Sequence, residues 1–259
     1  MAIWHRNNIS WVTFHLFDQY GIPHGFFMRH GGCSPNPWKS LNLATTVGDT
    51  RENVIENRRR IAEAIGIESK SFFDVWQVHG NKVIYSALPR ELDVPHMKGD
   101  AIVTDASGVT LLMLFADCVP IMFFDLEKNA AMIIHAGWQG TVKGIVADAA
   151  RFMIHKFGSK KKDLIAGIGP AICQSHYEVG RDIYEFARNN LGGNVTGKKE
   201  EEKYYLDLAQ TNMNILQSEG IIRIERMSIC TACCTMDWFS HREEMGNTGR
   251  FAGIIKPIQ

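Results

Sequence analysis

The sequence has no excess of charge of either sign, because 28 Lys and Arg residues balance 28 Asp and Glu residues and the formal net charge is 0. Proteins that bind nucleic acid or anionic membrane surfaces normally carry a basic excess. The composition therefore predicts neither a nucleic-acid partner nor a membrane partner.

Long apolar runs are missing as well. No stretch reaches the roughly 18 apolar residues of a membrane span, and the first residues, MAIWHRNNISWVTFHLF, are interrupted by His, Arg and Asn where a signal peptide would be apolar. Cysteine is scarce, since 6 cysteines in 259 residues are too few for a disulfide scaffold. We expect a reduced, cytoplasmic protein.

The chain does contain many short apolar runs bounded by turn residues, with 45% hydrophobic residues overall. Such runs are typical of buried strands. Helical spacing of apolar residues predicts helices from Asp49 to Gly66, over Thr141–Phe157 and Ile183–Leu191, and from Asp207 to Glu219. No repeat or linker divides the chain, so we predict one α+β domain spanning residues 1–259.

Two local predictions concern the strand connections. The predicted strands are Trp11–Phe17, Gly25–Met28, Phe72–Val78, Val83–Ala87, Gly99–Thr104, Val109–Phe115, Ile121–Phe124, Ala130–Ile134, Leu164–Ile168, Ile221–Ile229 and Phe251–Ile255. Residues 79–82, with their Gly-Asn pair, predict a tight hairpin between two of these strands. Residues 192–203 are polar and charged and predict a solvated loop.

Chemically active side chains concentrate where predicted strands end. Asp117 and Cys118 interrupt two apolar runs in the sequence Ala-Asp-Cys-Val-Pro, and His135 ends the next run. A Cys and a His at such places can be metal ligands or a nucleophile with its base. His79 ends another predicted strand and supplies a third candidate.

His79, Cys118 and His135 lie far apart in the sequence, so they do not form a local zinc-finger clip. Three protein ligands with an open fourth position are the pattern of a catalytic zinc site, where the pKa of bound water falls to about 7. The alternative, a Cys118 thiolate activated by His135, stays open on the residues alone.

Two glycine-rich turns could accept an anion. Arg29 precedes Gly31 and Gly32 in one loop, where glycine lets backbone approach a ligand and an arginine suits an anionic group. The turn from Gly137 to Gly140 leads from His135 into a predicted helix, whose N-terminus attracts negative charge. A solvated surface loop and a plain strand-to-helix turn are the alternatives.

Eight sequence blocks, in order along nearly the whole chain, resemble the YfiH family of laccase-domain proteins. They are RHGGCS (Arg29–Ser34), SLNL (Ser40–Leu43), QVHG (Gln77–Gly80), GDAIVTD (Gly99–Asp105), ADCVPI (Ala116–Ile121), HAGWQG (His135–Gly140), GIGPAIC (Gly167–Cys173) and TGRFAGII (Thr248–Ile255). Gln139 stands where the family commonly has Arg, and His241 stands where it commonly has Tyr.

The resemblance implies a layered α/β/β/α fold with mixed sheets, similar to cysteine-hydrolase-like proteins. It also implies a zinc ion held by His79, Cys118 and His135, with Cu²⁺ as an alternative because copper binds such donors more tightly. Three activities follow from the family's labels. They are phosphorolysis of adenosine, inosine and methylthioadenosine with adenosine deamination beside it, copper-dependent polyphenol oxidation, and editing of peptidoglycan precursors by Cys118 and His135.

The residues favour the purine activity over a multicopper oxidase. A trinuclear copper cluster uses many histidines in His-x-His pairs, and the 10 histidines of this chain include no such pair. We therefore predict a purine nucleoside phosphorylase and adenosine deaminase whose partners are a nucleoside and phosphate. The sequence makes no prediction of oligomeric state.

The predicted site divides into a catalytic set and a substrate-binding set. The catalytic residues are His79, Cys118, His135 and Asp117, the last as an acid/base group or as a support for a ligand. The substrate-binding residues are Arg29, Gly31, Gly32, Asn42, Gly137, Trp138 and Arg250, with Trp138 stacking on the purine. Cys230, Cys233 and Cys234 lack a second pair of ligands nearby in the sequence, so we interpret them as buried thiols, with a second metal site as the alternative.

Overall fold

Mixed sheets and surrounding helices make up the computed structural model, which describes residues 1–258. The strands are β1 (Ala2–Arg6), β2 (Ile9–Thr13), β3 (His24–Phe27), β4 (Phe72–Phe73), β5 (Val83–Tyr85), β6 (Ala101–Thr104), β7 (Thr110–Phe115), β8 (Val119–Asp125), β9 (Ala130–Ala136), β10 (Leu164–Ile168), β11 (Glu178–Val179), β12 (Gly197–Glu200), β13 (Lys203–Leu206), β14 (Arg223–Arg226) and β15 (Phe251–Ile255). The α-helices are α1 (His15–Asp18), α2 (Arg51–Ile65), α3 (Trp138–Val142), α4 (Ile145–Phe157), α5 (Arg181–Leu191) and α6 (Leu208–Ser218).

The strands form two six-stranded sheets and one small sheet. The order in the first is β1-β2-β3-β15-β7-β4 and in the second β14-β10-β8-β9-β6-β5, while β11-β13-β12 form the third. Both large sheets combine antiparallel pairs with parallel ones, for example β4 with β7 and β10 with β14. The prediction of a mixed α and β fold is confirmed, and the likeness to cysteine hydrolases stays a prediction.

The second sheet is buried on both faces, which explains why its strands are continuous apolar runs in the sequence. Along β8 and β9, Met122 and Ile133 belong to an apolar cluster shared with the first sheet. Their neighbours Phe123 and Ile134 belong to a cluster on the opposite face, shared with α4 and α6. Each such side chain contributes about 1.5–3 kcal/mol when fully buried.

Helix α2 covers the outer face of the first sheet, where Ile61 packs in a cluster with Phe27 and Leu112. The hydroxyl of Thr50 caps this helix by accepting a hydrogen bond from the Asn53 N–H, so the helix begins after Thr50 rather than at Asp49. Gly66 ends it at φ 73°.

Four local predictions were wrong. The predicted strand Trp11–Phe17 ends at Thr13, and His15–Asp18 form helix α1. Residues 79–82 do not join a hairpin, because β4 pairs in the first sheet and β5 in the second. The predicted helix Thr141–Phe157 is two helices, α3 and α4, separated at Gly144, whose φ of 87° no helix accommodates. Within residues 192–203, β12 forms an antiparallel pair with β13. No helix among residues 1–258 is both long and apolar enough to cross a membrane.

Candidate metal centre and substrate cavity

Three side chains converge at one end of the two large sheets. His79 follows β4, Cys118 lies in the turn between β7 and β8, and His135 lies near the end of β9. One ligand atom from each lies within 4.8 Å of the others. Since β8 and β9 are paired antiparallel with Pro120 opposite His135, the Cys118 turn meets the end of β9 directly.

Asp100 holds both histidines of this group. Its carboxylate accepts a hydrogen bond from His135 Nδ1 at 3.0 Å, and it also accepts the backbone N–H groups of His79 at 2.9 Å and Gly80 at 2.7 Å. Because Nδ1 of His135 is engaged, Nε2 is the nitrogen left to bind a metal. Sequence reasoning missed Asp100, although the Gly-Asp pair at the start of the predicted strand Gly99–Thr104 was a signal for it.

Backbone conformation opens the space between the ligands. His79 and Asp117 adopt positive φ angles of 54° and 85°, which non-glycine residues rarely do. At Gly137 a Cβ atom would lie 2.9 Å from His79 Nδ1 and 3.0 Å from Cys118 Sγ. Only glycine therefore leaves both ligand atoms room, and the residues present fit a metal ion.

The electrostatics favour a thiolate at Cys118. Burial opposes its ionisation, but the charge of His135 and hydrogen bonds from His135 and His79 outweigh burial and lower the pKa of Cys118 to about 6. Burial likewise opposes the charge of His135, while the Cys118 thiolate and Asp100 raise the pKa of His135 to about 9. One thiolate and two imidazoles suit Zn²⁺ or Cu²⁺.

A cavity of about 700 Å³ adjoins this candidate metal centre. Besides the three ligands its walls include Arg250, His241 and Trp76, and also Arg58, Asp74, Arg90 and His96. Its volume falls in the range of about 300–1,000 Å³ that is typical of small-molecule sites.

Arg250 lies in the cavity wall, close enough to Cys118 for the charges of the two side chains to interact. Its Nη1 donates to the carbonyl oxygens of Gly249 at 2.9 Å and Thr248 at 3.4 Å. Among residues 1–258 no carboxylate forms an ion pair with it. Burial lowers the pKa of Arg250, although the Cys118 thiolate opposes this effect. A desolvated guanidinium without a carboxylate partner is a strong attractor for an anion.

His241 stands beside this cation in the cavity wall. Burial first, and then the charge of Arg250, lower the pKa of His241 below its ordinary value of 6.5. His241 is therefore neutral near pH 7 and can both donate and accept a hydrogen bond.

Asp74 and its neighbours form a charge network in the cavity wall. The Asp74 carboxylate lies 2.8 Å from Arg58 Nη1, 2.5 Å from Arg90 Nε and 3.2 Å from His96 Nε2. Burial opposes the negative charge, but His96 and the two arginines prevail and hold the pKa of Asp74 far below its ordinary value. Both arginines are paired with Asp74, whereas Arg250 has no carboxylate partner among residues 1–258.

Two of the predicted residues lie in supporting positions. Asp117 accepts hydrogen bonds from Thr231 Oγ1 and from the Arg242 N–H, both at 2.6 Å, so its carboxylate ties two segments together. Asn42 is buried and accepts the Arg250 N–H at 2.9 Å. Both residues hold the site's walls and are absent from the residues that line the cavity.

Arg29 also lies outside the cavity lining. Its guanidinium donates to the Thr235 carbonyl at 2.7 Å, pairs with Glu244 at 3.0 Å and lies over the Phe239 ring. A Cβ atom at Gly31 or Gly32 would collide with neighbouring backbone carbonyls, so close packing of the chain requires both glycines.

Trp138 begins α3 and packs, half-buried, against the core on the outer face of the second sheet. Helix α3 spans only five residues and ends before Gly144, after which α4 begins. The aromatic side chain that lines the cavity is Trp76, which is 51% exposed. Sequence reasoning missed Trp76 because it falls inside a predicted strand, where tryptophan is common.

Residues 23–257 match the family model described as multi-copper polyphenol oxidoreductase laccase. The chain belongs to this family. The resemblance seen in the sequence is thereby confirmed, and relatives named purine nucleoside phosphorylase share it. One from Deinococcus radiodurans is 35% identical over 235 residues, covering 90% of this chain and 88% of the relative. Purine nucleoside phosphorylase YlmD of Bacillus subtilis is 33% identical over 244 residues, covering 89% and 87%.

Solved structures of family members share the fold. The crystal structure of YlmD from Geobacillus stearothermophilus superposes with a TM-score of 0.91 at 29% identity, covering 99% of this chain and 98% of that one. YfiH from Bacillus licheniformis superposes with a TM-score of 0.88 at 30% identity, covering 98% and 97%. The mixed α/β fold is therefore that of the family.

Proposed function

We propose that the protein is a zinc-dependent purine nucleoside phosphorylase that acts on adenosine, inosine and methylthioadenosine, with adenosine deamination as a second activity. The observation that carries the proposal is the arrangement of one cavity. It places a three-ligand metal centre beside Arg250, a cation without a carboxylate partner among residues 1–258. The names of the family's relatives support the same activity.

Arg250 is the residue we assign to the phosphate. Its Nη1 is occupied by two backbone carbonyls, which fix the side chain while its remaining N–H groups stay available to an oxyanion. Neutral His241 can accept a hydrogen bond from a hydrogen phosphate on the same side of the cavity. The phosphate, which is the nucleophile, would then lie near Cys118, because the charges of Cys118 and Arg250 interact.

Phosphorolysis then forms one bond and breaks one. A phosphate oxygen bonds to the ribose anomeric carbon, while the bond from that carbon to the purine nitrogen breaks and its electron pair leaves with the base. The proton of the phosphate passes to the departing base, so the products are ribose 1-phosphate and free purine. A metal ion on His79, Cys118 and His135 would supply Lewis acidity to an oxygen or nitrogen of the substrate at its open position.

Trp76 is the residue we assign to the purine ring. Its half-exposed indole lies in the cavity wall, where a planar base can stack on it. Gln77 beside it is held by two hydrogen bonds to the Leu114 backbone, to its carbonyl at 2.8 Å and from its N–H at 3.0 Å. The base-binding wall is thus fastened to β7.

The test is phosphate-dependent release of base from adenosine and inosine by protein of measured zinc content. We expect Cys118→Ser to abolish release and Arg250→Gln to raise the KM for phosphate by roughly tenfold to a hundredfold, the equivalent of a charged hydrogen bond of about 1.5–3 kcal/mol. Arg181→Gln, at the exposed start of α5, is the matched control and should leave both constants unchanged.

The same protein preparations also test two other activities. The family's description names a copper oxidase, so the copper-loaded protein is assayed for polyphenol oxidation in parallel. Editing of peptidoglycan precursors would use the thiolate of Cys118 with His135 and would survive chelation of the metal. Absence of base release from fully zinc-loaded protein would refute the phosphorylase proposal.

A further inference from the structure

A second group of metal-ligating side chains lies outside the cavity. Cys173, His176, Cys230 and Cys233 each offer one ligand atom, and the four atoms lie within 4.8 Å of one another. The interpretation of the cysteines at 230–234 as buried thiols was wrong, because Cys233 and Cys234 are exposed. The two further ligands, Cys173 and His176, come from a segment that is distant in the sequence. Cys234 is not part of the group.

We infer that these four residues form a structural zinc site that is separate from the candidate metal centre. Structural zinc sites are closed by four protein ligands, whereas catalytic ones keep a position open. Here the donor set is complete, with three cysteine sulfur atoms and one imidazole. Thiolate-rich donor sets select zinc over harder cations such as Mg²⁺ and Ca²⁺.

The distances match a tetrahedral ion. From His176 Nδ1 the sulfur atoms of Cys173, Cys233 and Cys230 lie at 3.3, 3.5 and 4.0 Å. Zinc bonds of about 2.3 Å to sulfur and 2.0–2.1 Å to nitrogen, arranged as a tetrahedron, separate sulfur from nitrogen by about 3.6 Å. An ion therefore needs only small side-chain shifts to bind.

Each half of the site is a local turn with ligand spacing. Cys173 and His176 are three residues apart around a 3₁₀ turn, as are Cys230 and Cys233 in a second turn. The Cys230 sulfur accepts the backbone N–H groups of Cys173 at 3.2 Å and Cys233 at 3.4 Å. Burial raises the pKa of Cys230 to about 12, and these two hydrogen bonds act in the opposite direction. A metal ion that binds this sulfur would displace its proton.

Sheet topology brings the two turns together. Strands β10 and β14 are parallel neighbours, so the segments that follow them leave the sheet at the same edge. There the Ala171 N–H donates to the Ile229 carbonyl, and the Thr231 N–H donates to the Ala171 carbonyl. The ligands are thus juxtaposed by regular backbone pairing.

The proposed zinc site would stabilise the segment from residue 227 to residue 250. This segment contains neither an α-helix nor a strand and is longer than the roughly 12–15 residues that such connections usually reach. It nevertheless supplies His241 and Arg250 to the cavity. Asp117, next to Cys118, binds Thr231 through its carboxylate and Ile172 through its carbonyl. A zinc ion would therefore fasten the cavity wall to the turn that carries Cys118.

Metal analysis of the reduced, full-length protein tests the inference. We expect zinc-supplemented wild type to retain a second equivalent of zinc after gel filtration, and Cys233→Ser to lose that equivalent and to unfold at a lower Tm. Cys234→Ser, which changes the exposed neighbouring thiol outside the group, is the matched control and should retain the full zinc content. Equal zinc contents in wild type and Cys233→Ser would overturn the inference.

A second measurement covers the case in which Cys233→Ser does not fold. In Cys118→Ser the candidate metal centre is broken, so the remaining zinc should show three sulfur neighbours and one nitrogen neighbour by X-ray absorption. Folded Cys118→Ser without zinc, or cysteines recovered as disulfides from freshly purified wild type, would refute the site. Because the readout is metal content, the test of this zinc site does not depend on whether the phosphorylase proposal is correct.

Discussion

Replacing Asp100 with Asn tests how the two histidine ligands are held. The Asp100 carboxylate is fully buried and accepts His135 Nδ1 as well as the backbone N–H groups of Val78, His79 and Gly80. Burial opposes its charge, but these hydrogen bonds, with that from His135 the largest, hold the pKa of Asp100 below its ordinary value. The carboxylate thus stays charged under physiological conditions.

The expected magnitude follows from the lost acceptor. An asparagine keeps one oxygen and presents an NH₂ group where the carboxylate accepted N–H groups, so at least one buried donor is left without a partner, at a cost of about 1–3 kcal/mol in the free energy of unfolding. Removing the hydrogen-bond partner of a metal-binding histidine typically weakens metal affinity by about 10–100-fold. Asp100→Asn should show both losses.

Zinc affinity is measured by competition with a chromophoric chelator, and stability by urea denaturation of the metal-free protein. Asp105→Asn is the matched control, since Asp105 is exposed just beyond the other end of β6 and bonds only the Tyr85 hydroxyl among residues 1–258. If Asp100→Asn binds zinc as tightly as wild type and Asp105→Asn, the carboxylate does not position the ligands and our account of the centre is wrong.

Two further predictions concern charge. Asp74→Asn should lower the free energy of unfolding by about 3–5 kcal/mol at pH 7, because it leaves the largely buried guanidinium groups of Arg58 and Arg90 without their anion. Since the pKa of Asp74 is depressed, the difference from wild type should persist above the ordinary value of 3.8 and shrink as the pH falls below it. Urea denaturation at several pH values measures both, and a difference below about 1 kcal/mol at pH 7 would contradict the prediction. In metal-free protein, alkylation of Cys118 by iodoacetamide, followed by peptide mass spectrometry, should rise near pH 6 rather than near the ordinary 9.0, since His135 stabilises the thiolate. A midpoint near 9 would show that the thiolate is not stabilised.

Features that depend on neighbouring residues in the chain could be predicted from the sequence alone. Continuous apolar runs predicted strands of both large sheets. Leu164–Ile168 in the second sheet and Phe251–Ile255 in the first match their predicted bounds. Residues at the ends of such runs lie at one end of the sheets, which is why the sequence alone pointed to His79, Cys118 and His135 as one group. Asp207 caps α6, as predicted, because capping depends on neighbours in the sequence.

Tertiary structure decided what depends on residues distant in the chain. Arg29 and Arg250 both follow local patterns that favour anion binding, yet Glu244 satisfies the first, while no carboxylate among residues 1–258 pairs with the second. The role of Asp100 rests on a hydrogen bond to His135 across two strands. Cys173 and His176 join Cys230 and Cys233 because parallel strands end at the same edge of a sheet. Sequence patterns record a residue's neighbours along the chain, and charge compensation and metal ligation depend on its neighbours in space.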